Sequence, residues 1–136
     1  MSYGITHLMR NVTTAGYPVE TPFVPHGISV ITNAPSIFAY TAIGAPARHV
    51  RAARWLGADV GDAGPDEAGE VLSKRLIELM RITGMPNGLK GLGFAESDVL
   101  PMTRSSMRQA RALLNCSREI NAVDMENMYR GALSYW

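Results

Sequence analysis

Cysteine is nearly absent: Cys116 is the only one in 136 residues. A single thiol cannot close an internal disulfide, and without a C-x-x-C partner it builds no zinc knuckle. An unpaired thiol fits a reducing compartment, and the chain is read as cytoplasmic. Charge is scarce as well. Charged residues make up 18% and hydrophobic ones 46%, so the charged fraction is low for a globular domain and suggests surface buried against something else. The 13 basic and 12 acidic residues leave a net charge of +1. No block of like charges occurs, which argues against nucleic acid as a partner. The opening "MSYGITHLMRN" lacks a basic region followed by an apolar core and is not read as a secretory signal. There is no P-loop, no G-x-G-x-x-G, no G-x-S-x-G elbow and no H-E-x-x-H. Sustained β alternation, repeats and low-complexity tracts are missing too.

One stretch has no formal charge at all. Between Glu20 and Arg48 the chain reads "TPFVPHGISVITNAPSIFAYTAIGAPA". Its length would admit a membrane span. It contains Pro25, Thr32, Asn33, Pro35, Ser36 and Thr41, however, whose polar groups lipid would not satisfy, and neither flank carries a Lys/Arg cluster. A helix buried on most faces inside protein is the reading, with no membrane partner.

The length suits one domain with a real core, and residues 1–136 are read as a single helical domain. A short first helix is expected around Ile5 to Val12. "TTAGYPVETPFVP" is a loop. His26 to about Ala42 is helical, kinked or divided by Pro35. Pro46 to Leu56 is amphipathic, with Val50, Ala53 and Leu56 inward, Arg48, Arg51 and Arg54 outward, and Gly57 ending it. Pro65 to Thr83 is the clearest helix. Asp66 and Glu67 lie in its first turn, Ala68, Val71, Leu72, Leu76, Ile77 and Met80 fall at helical spacing, and Gly84 closes it. A segment from Glu96 to about Leu114 is interrupted near Pro101. Asn121 and Asp124 form a capping box before a last helix with Val123, Met128, Tyr129, Ala132 and Leu133 on its apolar stripe. The class is all-α, with five or six helices.

The candidates for chemistry are few. "GLKGLG" has glycines at 88, 91 and 93 but follows no strand, so no phosphate role is expected of it. His7, His26 and His49 are each read as structural or solvated when taken alone. His26 differs in context: it opens a helix after Pro25, and Gly27 beside it permits close approach of a backbone or ligand. No carboxylate–histidine set accompanies it to complete a metal site.

The motifs together carry a resemblance. "PHGISVITNAPSIFAYT" followed by "ARHVRAARWLGAD" resembles the C-terminal helical domain of the iron-containing (group III) alcohol dehydrogenases, most of all the hydroxyacid-oxoacid transhydrogenase and maleylacetate-reductase-like branch. "MSYGI" resembles the tail of the family's "HGMSYPI". "EAGEVLSKRLIELMRITGMPNGLKGLGFAESDV" and the closing "REINAVDMENMYRGAL" follow in family order, so the likeness covers essentially the whole chain.

The resemblance implies a divalent metal, Fe2+ or Zn2+, held by one aspartate and three histidines, with NAD(P) on an N-terminal α/β domain. It implies that His26 is the last of the three histidine ligands. The other ligands and the nucleotide domain would lie upstream of Met1, so the chain is expected to be a truncated form that is inactive alone and has none of these cofactors bound. Tyr3 stands where many alcohol-oxidising members have a second histidine. His7 and His49 match no ligand, and His49 is expected on a mostly solvated face. No catalytic residue is assigned, and no cofactor-binding residue is expected in this chain. The expected function is the metal- and substrate-side part of an NAD(P)-linked alcohol or hydroxyacid dehydrogenase, an oxidoreductase. The alternative is a helical remnant serving protein association. The expected partners are a nucleotide-binding-domain fragment or further copies of the chain.

Overall fold

The computed structural model describes residues 1–8 and 23–136, and among these every regular element is helical. The helices are α1 (Ser2–His7), α2 (His26–Ile31), α3 (Ala34–Thr41), α4 (Pro46–Trp55), α5 (Ala68–Ile82), α6 (Glu96–Met107), α7 (Ala110–Leu113) and α8 (Ala122–Gly131), with 3-10 turns at Ala42–Gly44 and Lys90–Leu92. The all-α expectation holds. The count among the described residues is eight because two expected segments each divide. The expected continuation of the first helix to Val12 lies outside the described residues.

Two apolar clusters form the core. The larger gathers Ile5, Leu89, Phe94, Val99, Met102, Met125, Met128, Tyr129 and Leu133 from α1, α6, α8 with the residues just after it, and the 89–94 loop. The smaller gathers Ala34, Ala53, Val60, Leu72 and Leu76 between α3, α4 and α5. Helix α3 joins them, packing on α5 and α8, and Ser36 Oγ donates to the Met128 carbonyl at 2.7 Å.

Helix α5 buries Ala68, Leu72, Leu76 and Met80, a four-residue spacing that keeps one face inward. It begins at Ala68 rather than Pro65. Residues 65–67 instead form a turn, in which Glu67 Oε2 accepts from the Gly64 amide at 3.0 Å. Gly84 ends the helix in the left-handed region at φ +68°, while the Met85 amide reaches back to the Met80 carbonyl at 2.8 Å. Such a C-terminal closure favours glycine.

Pro101 was expected to interrupt its helix, yet α6 runs through it from Glu96 to Met107. The carbonyl freed by the missing N–H is that of Ser97, and both Ser97 and Pro101 are exposed, so water can satisfy it. The Asp98 carboxylate accepts from the Ala95 amide at 2.8 Å and fixes the start of the helix.

Helix α4 departs from its expected pattern at two places. Leu56, read as inward, is 39% exposed, and His49, read as solvated, is 9% exposed. The apolar stripe at 50, 53 and 56 drifts off the core beyond Ala53, and His49 faces back onto α3. On α8, Val123 likewise points outward at 66% exposure. The Asn121–Asp124 capping box is present, with the Asp124 amide donating to Asn121 Oδ1 at 2.9 Å and the Asn121 amide to Asp124 Oδ2 at 3.1 Å.

The end of the chain is tied back to the middle. The Leu89 and Lys90 amides donate to the Ala132 and Leu133 carbonyls at 2.8 and 2.9 Å. Asn87 Oδ1 accepts from the Tyr135 amide at 2.7 Å. Tyr135 Oη then donates to the Thr32 carbonyl at 2.9 Å, which pins the junction between α2 and α3.

Candidate metal-ligand site at the start of helix α2

The charge-free stretch splits at Thr32–Asn33, two residues before Pro35. Pro35 occupies the first turn of α3, where its missing N–H costs nothing. Most buried polar groups of α2 and the Thr32–Asn33 junction are satisfied within the stretch. Ser29 Oγ donates to the His26 carbonyl at 2.8 Å. Thr32 Oγ1 donates to Ile28 O at 2.9 Å, and Asn33 Nδ2 to Ser29 O at 2.7 Å. Short polar side chains that bond their own helix can be buried at little cost, which is why this run needs no charge. Asn33 Oδ1 remains without a partner.

With these groups bonded locally, the Ser29 side of α2 faces inward, continuous with buried Val24 and Pro25. The opposite face presents His26, Gly27 and Val30 to solvent. His26 is the first residue of α2, as expected. Its ring nitrogens make no hydrogen bond among the described residues. A Cβ added to Gly27 would meet no atom of the described residues within 4 Å, so the space beside His26 is open among them.

Helix α1 packs on α2 and α6. It buries Gly4 and Ile5 and exposes Tyr3, Thr6 and His7. His7 is turned back on its own helix, its Nδ1–H donating to the Tyr3 carbonyl at 2.8 Å. His49 is fully engaged. Its Nδ1–H donates to the Ala45 carbonyl at 2.8 Å, Nε2 meets Thr41 Oγ1 at 3.0 Å, and Phe38 stands edge-on at 5.8 Å between ring centroids. A ring with both nitrogens occupied cannot ligate. Sequence reading missed this pair, although a histidine four residues after a helix-start carbonyl was the available signal.

The three histidines therefore do not converge. Among the described residues no group of three or more His, Cys, Asp or Glu side chains is placed to hold a metal ion. His26 is suited to supply one donor, and a complete site needs others. The "GLKGLG" segment offers no amide cradle either, because the amides of Gly88 through Phe94 all donate to carbonyls of the chain. Desolvation makes two phenols, the buried Tyr129 and the half-buried Tyr135, much weaker acids than an ordinary tyrosine.

The model of the Fe-containing alcohol dehydrogenase family, C-terminal, matches residues 1–133. The chain belongs to the iron-containing alcohol dehydrogenase family. Among its relatives, the probable mitochondrial hydroxyacid-oxoacid transhydrogenase of Dictyostelium discoideum is 31% identical over 137 residues, covering 100% of this chain and 25% of that protein. The mitochondrial hydroxyacid-oxoacid transhydrogenase of Caenorhabditis elegans is 31% identical, covering 100% and 30%, and that of Rattus norvegicus 29% identical, covering 100% and 29%. The crystal structure of a 1,3-propanediol oxidoreductase shares the fold, with a TM-score of 0.71 at 23% identity over 80% of this chain and 28% of that one. The chain thus spans between a quarter and a third of the relatives it matches.

The same comparisons overturn the cytoplasmic expectation, since these relatives are named as mitochondrial. The physical basis of that expectation was a lone thiol, which indicates a reducing environment and does not distinguish one reducing compartment from another. No described helix is long and apolar enough to cross a membrane.

Proposed function

We propose that this chain is the metal- and substrate-side helical part of a metal-dependent, NAD(P)-linked dehydrogenase acting on an alcohol or a hydroxy acid. The observation that carries the reading is His26. It is an exposed imidazole at the head of a firmly anchored helix, with both ring nitrogens unpartnered among the described residues and open space beside it at Gly27. The family membership and the transhydrogenase names of the relatives support the reaction class.

For a divalent metal, Fe2+ or Zn2+, His26 fits as one neutral-imidazole donor. Bound there, the metal would supply Lewis-acid polarisation of a substrate oxygen during hydride exchange with a nicotinamide. The chain's own contribution is to hold that imidazole on a helix whose C-terminal end is pinned by Tyr135 at the Thr32 carbonyl, and to form one wall of the cleft with the exposed faces of α1 and α2. The remaining ligands and the nucleotide site would come from another polypeptide segment, and by itself the chain would be inactive.

The test is to combine the purified chain with the nucleotide-binding part of a related transhydrogenase. Bound metal and NAD(P)-linked turnover should appear together, and His26→Ala should abolish both while leaving the helical circular-dichroism spectrum unchanged. Turnover that survives His26→Ala would overturn the assignment. A second reading, an association module without catalysis, is favoured by the apolar side chains exposed along the uncharged stretch: Phe23, Val30, Phe38 and Ile43. In that case the chain would self-associate or bind its partner with equal affinity with and without His26.

A further inference from the structure

We propose that Tyr129 is a positioning residue, whose buried hydroxyl holds α1 in place against the His26-bearing helix α2. Helix α1 has six residues, far fewer than an isolated helix needs to persist in water. Its position therefore depends on tertiary anchors, and two stand out among the described residues. One is the side chain of Ile5, fully buried in the larger core cluster. The other is polar. Tyr129 Oη donates to the Met1 carbonyl at 2.7 Å, the same carbonyl that receives the Gly4 amide at 2.9 Å. The hydroxyl has one proton, and Met1 takes it. Ser106 Oγ, 2.6 Å away, must then be the donor to Tyr129 Oη. A directed relay, Ser106 to Tyr129 to Met1, thus links α6 and α8 to the start of α1.

Gly4 completes the device. A Cβ at this position would overlap the Tyr129 hydroxyl and approach the Met102 carbonyl and Ser106 Oγ, each to 2.9 Å. Only glycine lets the helix backbone lie directly on the phenol. Burial makes the Tyr129 hydroxyl a much weaker acid than an ordinary tyrosine, so it stays a donor throughout the physiological range. The ring itself has no exposed surface and sits in the larger core cluster with Met102, Met125 and Met128. The hydroxyl is therefore separable from the ring, and Tyr129→Phe removes the link alone.

The purpose assigned to this lock rests on the reading of α2 above; its existence does not. The experiment uses the chain alone, with no metal or coenzyme, so its failure is distinct from failure of the proposed function. Hydrogen–deuterium exchange is measured on wild type, Tyr129→Phe and Ser106→Ala, with the ring resonances of Tyr3 and His26 followed by NMR. Loss of a buried hydrogen bond should open α1 about 10- to 100-fold more often in Tyr129→Phe. The amides of α6 and α8 should stay within about twofold, and the Tyr3 ring signal should broaden. Ser106→Ala, which keeps the phenol but removes its donor, should give the same local pattern more weakly. Exchange in α1 equal to wild type would show that apolar packing alone places the helix. A uniform rise across all helices would show an ordinary core tyrosine. Either result overturns the proposal, and if Tyr129→Phe does not fold, Ser106→Ala decides between the same outcomes.

Discussion

Two glycines near the starts of helices should respond to the same substitution with opposite sign. Gly69 is the second residue of α5 and is buried where that helix crosses α3. A Cβ there would stand 2.7 Å from the Ala39 carbonyl oxygen, 3.1 Å from Ala39 Cα and 3.2 Å from Ala42 Cβ. Two of those atoms are backbone, so the relief must come from separating the helices. Such overpacking costs about 1–3 kcal/mol. The helix-propensity gain of alanine over glycine is at most about 1 kcal/mol and is smaller in a first turn. Gly69→Ala should therefore lose about 1–2 kcal/mol. For 136 residues, about 2.1 cal/mol/K of unfolding entropy per residue converts this to a Tm about 4–7 °C lower. Gly27→Ala meets no atom within 4 Å. Only the propensity gain remains, so Tm should stay or rise by up to about 3 °C. Thermal denaturation followed at 222 nm reads both. A neutral or stabilising Gly69→Ala would refute the packing argument, because the propensity gain would then exceed the contact it violates. A destabilising Gly27→Ala would mean that something covers this face in the isolated chain. If the dehydrogenase reading is right, Gly27→Ala should spare the fold yet impair metal binding in the completed enzyme, where the open space beside His26 is used.

Three further outcomes follow from named contacts. His49→Ala should cost about 1–3 kcal/mol in urea denaturation, because it strips the bonds to Ala45 and Thr41; a change below about 0.5 kcal/mol would return His49 to the solvated role expected from sequence. Asn121→Ala should lose about 1 kcal/mol, since it removes the capping acceptor of α8; equal stability would show that water replaces the cap. At alkaline pH, Tyr129 and Tyr135 ionise less readily folded than unfolded, so their contribution is complete below about pH 10 and is lost as pH rises above it. The double variant Tyr129→Phe/Tyr135→Phe should flatten that decline, and an unchanged slope would refute the assignment.

The class of the fold was legible in the amino-acid order because helix periodicity and punctuation are local. The four-residue spacing of Ala68, Leu72, Leu76 and Met80 needs no partner to be read. Neither does the Asn121–Asp124 box, nor Gly57 and Gly84 beyond the ends of α4 and α5. The position of His26 at a helix start follows equally from Pro25 before it and the apolar run after it. What failed were inferences about sides. His49 and Val123 sit on helices that were placed correctly yet face the opposite way from expectation, and Leu56, just past the end of α4, is exposed rather than inward. A ten-residue amphipathic stripe fixes an average direction, whereas the burial of one side chain depends on where a neighbouring helix ends. Pro101 failed for a related reason: whether a proline breaks a helix depends on whether the carbonyl it frees reaches water, which the chain alone does not state.

The tertiary structure alone brought Tyr129, Ser106 and the Met1 carbonyl together across 128 residues, and Tyr135 to Thr32 across 103. No local pattern encodes such pairs, because each hydroxyl finds its acceptor only after separate helices have packed. The order of residues determined that the chain is a set of amphipathic helices with one histidine at the head of an uncharged one. Packing decided which faces of those helices are buried, and so left His26 without a partner among the described residues, turned His49 inward and lodged α1 on Ile5 and the Tyr129 hydroxyl.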